Sequence, residues 1–284
     1  MTNYYLHGQQ VSQAYLNKCA LITENQWNHW RPLCVYPTRS EYIQKMVSQW
    51  RRRLHLEASR SHSYFCTLTY SQDNLPSRME YLDIKADLQK WIKRLRGKLV
   101  YRFPDAHCKY YLVSEFGDVN GRLHFHLIFY CNCNISLIDL RNLFDSTWRN
   151  GRTQVKPSSP RRIHYVTKYI FKKYLSSDFC IILKSNGIGT SYLSCEFVER
   201  QRARGSRWMY YAGRRIFIPR YIAKKIWNDD EYRQINTSDK VKIPLEMGYD
   251  PRSSGKIPYI VRDGELTSPC DMMAFNRIYK ILSL

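Results

Sequence analysis

The stretch Gly121-Arg122-Leu123-His124-Phe125-His126-Leu127-Ile128-Phe129-Tyr130 decides how this chain is read. Its apolar residues recur at every second position, at Leu123, Phe125, Leu127 and Phe129, which is the period of a β-strand with one buried face. His124 and His126 therefore share the other face. They stand side by side on a rigid support, at a spacing suited to one divalent metal ion.

A third ligand candidate lies just upstream. Lys109 to Phe116 reads as a second strand, and Gly117-Asp118-Val119-Asn120-Gly121 is turn chemistry, so the two strands form a β-hairpin. A turn centred on Asn120-Gly121 sets Glu115 opposite His126, whereas one centred on Val119-Asn120 sets it opposite His124. In both registers Glu115, His124 and His126 emerge on one face; a slip of one residue would bury Glu115 instead. Two imidazoles and a carboxylate with coordination positions left over describe a catalytic metal centre rather than a closed structural one.

The chain has 284 residues, a formal net charge of +21, and is 44% hydrophobic and 14% aromatic. That combination excludes a disordered basic tail and describes a folded protein facing a polyanion, with nucleic acid the leading candidate. Its 23 tyrosines offer stacking surfaces for unpaired bases. No apolar run approaches membrane-spanning length, and the first residues lack the apolar segment of a signal peptide, so a cytoplasmic location is expected. Nine cysteines without a Cys-x-x-Cys pair agree with reduced thiols. Cys131-Asn132-Cys133 marks the end of the histidine strand.

Residues 1–37 are weakly patterned and predict an irregular arm. From Ser40 to Leu56 the spacing of Ile43, Met46, Val47, Trp50 and Leu54 predicts an amphipathic helix, made basic by Arg51, Arg52 and Arg53. Its charged side fits DNA contact or simple solvation equally well. Tyr64 to Tyr70 predicts a strand whose Thr67 and Thr69 share the polar face of the His124 sheet, closed by the loop Ser71 to Pro76. Asp83 to Leu99 predicts a second helix that buries Ile84, Leu88, Trp91, Ile92, Leu95 and Leu99. Ser136, with Asp139 three positions on, predicts an N-cap for a helix carrying Leu137, Leu140, Phe144 and Trp148 and stopping at Gly151. Residues 152–160 read as loop. The alternation of helices with hairpin-connected strands points to an α+β fold, an antiparallel sheet flanked by helices.

The helix after Pro160 carries the second chemical element. At about 100° per residue, Tyr165, Lys168, Tyr169 and Lys172 occupy roughly one quadrant, and Ile163, Val166, Ile170 and Tyr174 lie opposite. One face packs; the other presents two phenols alternating with two ammonium groups. A phenol is a poor nucleophile near neutral pH, and a metal held by Glu115, His124 and His126, with Lys168 and Lys172 nearby, would supply the help it needs to attack a phosphodiester. Such an attack on DNA would release a 3′-hydroxyl and leave a 5′-phosphotyrosine. His164 points about 100° away from Tyr165 and is not assigned as its base.

These elements resemble the three motifs of HUH endonucleases, in order: Phe65 to Tyr70 with Asn74-Leu75-Pro76, then Glu115-Phe116-Gly117 followed by His124-Phe125-His126, then Tyr165 to Lys173. More narrowly the chain is similar to replication initiator proteins of microviruses, and within them to the gokushovirus branch. Trp50-Arg51, Gly187-Ile188-Gly189 and Pro219-Arg220-Tyr221 extend the likeness over roughly residues 33–226. The cysteine-rich N-terminal stretch of such proteins is reduced here to Cys19 and Cys34. The resemblance implies a five-stranded antiparallel sheet and a Mg²⁺- or Mn²⁺-dependent nick in single-stranded origin DNA that starts rolling-circle replication of a circular phage genome in the bacterial host cytoplasm. It also implies cooperation with host helicase and DNA polymerase. Imidazole donors suit Mn²⁺ better than Mg²⁺.

Gln201 to Ile226 holds Arg202, Arg204, Arg207, Arg214, Arg215, Arg220, Lys224 and Lys225 with no acid, interleaved with Trp208, Tyr210, Tyr211, Phe217 and Tyr221. That mixture suits contact with a DNA backbone and stacking on its bases. The nicking domain is thus read as 38–226, and 227–284 as a C-terminal extension. Two further functions compete. One is a plasmid relaxase or single-strand transposase using the same chemistry; the other is a non-catalytic nucleic-acid-binding protein in which the histidines only pack.

Overall fold

A computed structural model describes residues 3–6, 9–17, 19–22, 39–76, 80–117, 121–175, 179–236, 257–262 and 265–267. In chain order the elements are β1 (Tyr5–Leu6), β2 (Gln9–Gln10), α1 (Gln13–Leu16), β3 (Cys19–Ile22), α2 (Arg39–Ala58), β4 (His62–Tyr70), α3 (Tyr81–Arg102), β5 (Cys108–Phe116) and β6 (Leu123–Cys131). There follow α4 (Leu137–Thr147), β7 (Gly151–Pro157), α5 (Pro160–Leu175), β8 (Ile182–Lys184), α6 (Cys195–Arg204), β9 (Trp208–Tyr211), β10 (Arg214–Phe217), α7 (Arg220–Ile226), β11 (Ile257–Arg262) and β12 (Glu265–Thr267). The chain divides into one unit of Ser40–Arg200 with Ile218–Ile222 and another of Met1–Arg39, Gln201–Phe217 and Ala223–Leu284.

The first unit is an α+β domain built on a five-stranded antiparallel sheet of order β7-β4-β6-β5-β8. β6 lies at its centre, and its alternating sequence gives the sheet two different faces. Leu123, Phe125, Leu127 and Phe129 are wholly buried on one side, among Ile84, Leu88, Trp91 and Leu95 of α3 and Leu140, Leu143 and Phe144 of α4. Trp91 knits this layer together: its ring meets Phe144 and Trp148 edge-on, and its Nε1 donates to Thr147 Oγ1 at 3.2 Å. The other face changes character along the strand. Ile128 and Tyr130 are sealed by Leu54 of α2 and by Ile163, Val166 and Tyr169 of α5, while the end carrying His124 and His126 is only half-buried.

Local signals set several boundaries. Ser136 accepts from the Asp139 amide at 3.0 Å, so the cap predicted for α4 is formed. The helix ends at Thr147 rather than at Gly151. Gly151 instead opens β7, where a Cβ would lie 2.2 Å from the Thr69 carbonyl oxygen, so only glycine allows the strands this close. Residues 152–157, read as loop, form the edge strand β7. An edge strand buries little, and Val155 is the one residue of this segment turned into the core, so the two-residue period is hidden beneath polar side chains.

In the second unit, β1, β2 and β3 pair with β11 and β12 in a sheet of order β2-β1-β12-β11-β3. The arm read as irregular therefore contributes strands, and so does the C-terminal segment. Cys34 lies outside the described residues. β9 and β10 form a separate hairpin closed by Ala212 and Gly213, both at positive φ (47° and 74°), a two-residue turn whose twist matches the strands. No described helix is long and apolar enough to cross a membrane.

Candidate active site

Strand pairing fixes the register that the sequence left open: Glu115 lies opposite His124, and Val113 opposite His126. On the other side of β6, Thr69 pairs with His124 and Thr67 with His126. Each threonine hydroxyl lies 3.1 Å from the Nδ1 of its histidine. Both rings are thereby oriented, and each presents Nε2 outward. His126 Nε2 lies 3.1 Å from Glu115 Oε2. His124 Nε2 sits against Gly117, where an added Cβ would come within 2.8 Å of it, so glycine at 117 makes room for the ring.

α5 brings the phenols to this face. The Tyr165 hydroxyl donates to Glu115 Oε2, and the Tyr169 hydroxyl donates to the Tyr165 oxygen at 3.1 Å. Lys168 Nζ stands 4.2 Å over the Tyr165 ring and 5.1 Å from that of Tyr169; Lys172 Nζ is 5.8 Å from the Tyr169 ring. Both phenols share one side of α5, as the helical spacing predicts, but at different depths. Tyr165 is half-buried, whereas Tyr169 is completely enclosed. Phe65 has no assigned role in the sequence reading, yet it stacks on His126 with centroids 5.4 Å apart and Arg162 above it at 5.1 Å. The signal for it is its two-residue spacing from Thr67 and Thr69 on one strand.

The electrostatics follow from this packing. Burial pushes the Glu115 carboxyl up, but hydrogen bonds from the two phenols and the charges of His126 and Lys168 outweigh it, leaving the group below the usual carboxylate range. Burial lowers His126, with Glu115 acting against it and His124 with it. Tyr169 is held well above an ordinary phenol, first by burial and then by its hydrogen bonds to Glu115 and Tyr165. It therefore stays neutral.

The donor chemistry fits a divalent cation at Glu115 and His126: a carboxylate oxygen and a bare imidazole nitrogen 3.1 Å apart, with the imidazole's second nitrogen already hydrogen-bonded. The His124 ring centroid is 6.4 Å from that of His126. Among the described residues no three His, Cys, Asp or Glu side chains are gathered closely enough to enclose an ion.

The basic residues of 201–226 are spread over several elements. Arg202 donates to the Ile226 carbonyl at 2.8 Å, Lys224 pairs with Asp229, and Arg207 donates to the Tyr232 hydroxyl at 3.3 Å, so these three have work inside the fold. On the β9–β10 hairpin, Trp208 stacks on Phe217 at 3.6 Å, Arg215 covers Trp208 at 4.3 Å, and Arg207 lies 5.0 Å from the Phe217 ring. Arg204 and Arg214 are exposed, as are Tyr210 and Lys225. Arg220 opens α7, its amide donating to Gln49 Oε1 at 2.6 Å.

Residues 63–174 match a family of viral-type replication proteins described as Replication-associated protein ORF2. The match runs from the first strand of the sheet through the helix that bears both phenols. This chain is similar to replication-associated proteins. It is 25% identical over 210 residues to the Replication-associated protein ORF2 of Spiroplasma virus 4, an alignment covering 64% of each chain. The chain thus spans 64% of the length of that curated relative. No solved structure matches.

Proposed function

We propose that this protein initiates replication of a circular single-stranded DNA phage genome as an HUH-type endonuclease, nicking one strand and later rejoining it. The observation that carries the reading is the convergence of the Tyr165 hydroxyl and His126 Nε2 on the same Glu115 oxygen. Similarity to viral replication-associated proteins supports the biological setting.

Tyr165 is the attacking group, because it is the phenol that is only partly enclosed. Its oxygen forms a bond to phosphorus, the bond from phosphorus to the 3′-oxygen breaks, and that oxygen leaves as a 3′-hydroxyl while the phenol gives up its proton. Glu115 orients the phenol before attack. Lys168, over the ring, offsets the negative charge that develops on the phenol oxygen, and Lys172 adds to that field. Tyr169 holds the Tyr165 oxygen in place and is the phenol that acts in a second transfer once its surroundings open. Glu115 and His126, with His124 beside them, would hold Mg²⁺ or Mn²⁺. The bound ion would supply positive charge to a non-bridging phosphate oxygen. Arg204, Arg214, Arg215 and Trp208 are the residues of the basic segment placed to contact the DNA. Host helicase and polymerase would take over at the free 3′-hydroxyl, and the cytoplasm of the bacterial host is the compartment that supplies them.

The test uses labelled oligonucleotides tiling the single-stranded genome, incubated with the protein and Mn²⁺. The expected product is a denaturation-resistant protein–DNA adduct together with a free 3′-hydroxyl fragment. Binding without cleavage at any sequence would leave only the non-catalytic reading.

A further inference from the structure

A basic cluster that the nicking chemistry does not use lies where α2 and α5 meet. Arg51 and His55 are one turn apart on α2, and His164 belongs to α5, one residue before Tyr165. The two imidazoles meet edge to face with centroids 5.9 Å apart. Arg51 Nε is sheltered from solvent and has no hydrogen-bond partner. His164 is exposed, so the group is reachable from outside. Both histidines are lowered, first by burial; His55 is lowered further by His164 and Arg51, and His164 by Arg51. Three groups that repel one another when charged are costly to hold together unless an anion sits among them.

We infer that Arg51, His55 and His164 form a seat for one phosphodiester of the single strand, next to the phosphate attacked by Tyr165. A phosphate oxygen accepts from the unpartnered guanidinium nitrogen and from the imidazoles, and its charge relieves their mutual repulsion. Because α5 carries both His164 and Tyr165, with their side chains about 100° apart on the helix, a strand gripped at the seat is held in register with the phenol. The seat rests on the nucleic-acid reading above but not on the cleavage step.

The measurement is the salt dependence of binding to a fluorescent oligothymidylate, read by anisotropy, for wild type, Arg51→Gln, His164→Gln and the double variant. A lost phosphate contact lowers the slope of log K against log salt by about 0.7. Each single variant should show that loss, and the double no more than either, because both residues serve one phosphate. Lys98→Gln, an exposed charge on α3, should keep the wild-type slope. His164 is exposed, so its variant keeps the test valid if Arg51→Gln unfolds. Wild-type slopes in both variants overturn the seat, as does an equal loss in Lys98→Gln. Inorganic phosphate binding that the variants abolish, with unchanged DNA slopes, assigns the cluster to free phosphate and overturns the backbone assignment. A protein that forms covalent adducts while the variants bind DNA like wild type loses this seat alone. One that forms no adducts but shows the slope losses keeps the seat and loses the nicking reading.

Discussion

The Tyr165 hydroxyl and the His126 imidazole meet on one oxygen of Glu115, the hydroxyl as its donor and Nε2 3.1 Å away. A helix and a hairpin separated by 50 residues are thereby joined at one carboxylate. Removing that carboxylate has two separable effects. Glu115→Gln should lower adduct formation by at least ~100-fold, because it weakens the hold on both the phenol and a cation, while DNA binding stays within about threefold of wild type. Comparing gel-resolved adduct yield with anisotropy checks this; a parallel loss of both would show that Glu115 acts only through folding or binding.

Thr67→Val and Thr69→Val each remove a hydroxyl from a histidine Nδ1 and leave a strand-forming residue of similar shape. Loss of such an orienting partner lowers activity or metal affinity by about 10- to 100-fold. Adduct formation titrated with Mn²⁺ should shift to higher metal concentration in both variants. An unchanged titration curve would mean the hydroxyls merely accompany the rings.

Glu57 is 1% exposed and receives Lys109 Nζ at 3.0 Å, the Gly189 amide at 2.6 Å and the Ser191 hydroxyl at 2.7 Å. It ties α2 to β5 and to the turn around Gly187–Gly189. Replacing it with Ala leaves these donors unmatched and should cost about 3–5 kcal/mol. Urea unfolding reads the loss directly, and a cost under about 1 kcal/mol would contradict the role given to this carboxylate.

Ala212 sits at φ 47°, a conformation that suits Asn or Gly better than Ala. Ala212→Asn should stabilise the β9–β10 hairpin by roughly 0.5–1 kcal/mol. Greater amide protection of Met209 and Ile216, which face each other across the hairpin, would register the gain; protection that falls would contradict the turn type.

What the sequence disclosed depended on how local each determinant was. The Ser136 cap acts across three residues, and the alternation in β6 lies within one strand, so both could be read directly. The hairpin register was narrowed to two choices because both bring Glu115, His124 and His126 to the same side; the pairing of Glu115 with His124 was decided by the whole sheet. β7 was hidden because an edge strand needs few apolar residues. The burial of Tyr169 could not be foreseen, since helical spacing gives direction but not depth, and the depth comes from Tyr111, Val113 and Ile128 beneath it. Links such as Glu57 to Gly189, 132 residues apart, leave no local trace.

Tyr169 is enclosed and donates to Tyr165, so Tyr169→Phe should still form the first adduct, slowed by roughly 3- to 10-fold through one lost hydrogen bond. Tyr165→Phe should form almost none. Equal losses in the two variants would refute the division of roles between the phenols.

The central claim is tested most directly by digesting the adduct formed on genome-derived single-stranded DNA and locating the linked nucleotide by peptide mass spectrometry. The account predicts a nucleotide joined through its 5′-phosphate to Tyr165. A free 5′-phosphate with no linked peptide, or a nucleotide on any residue other than Tyr165, would contradict it.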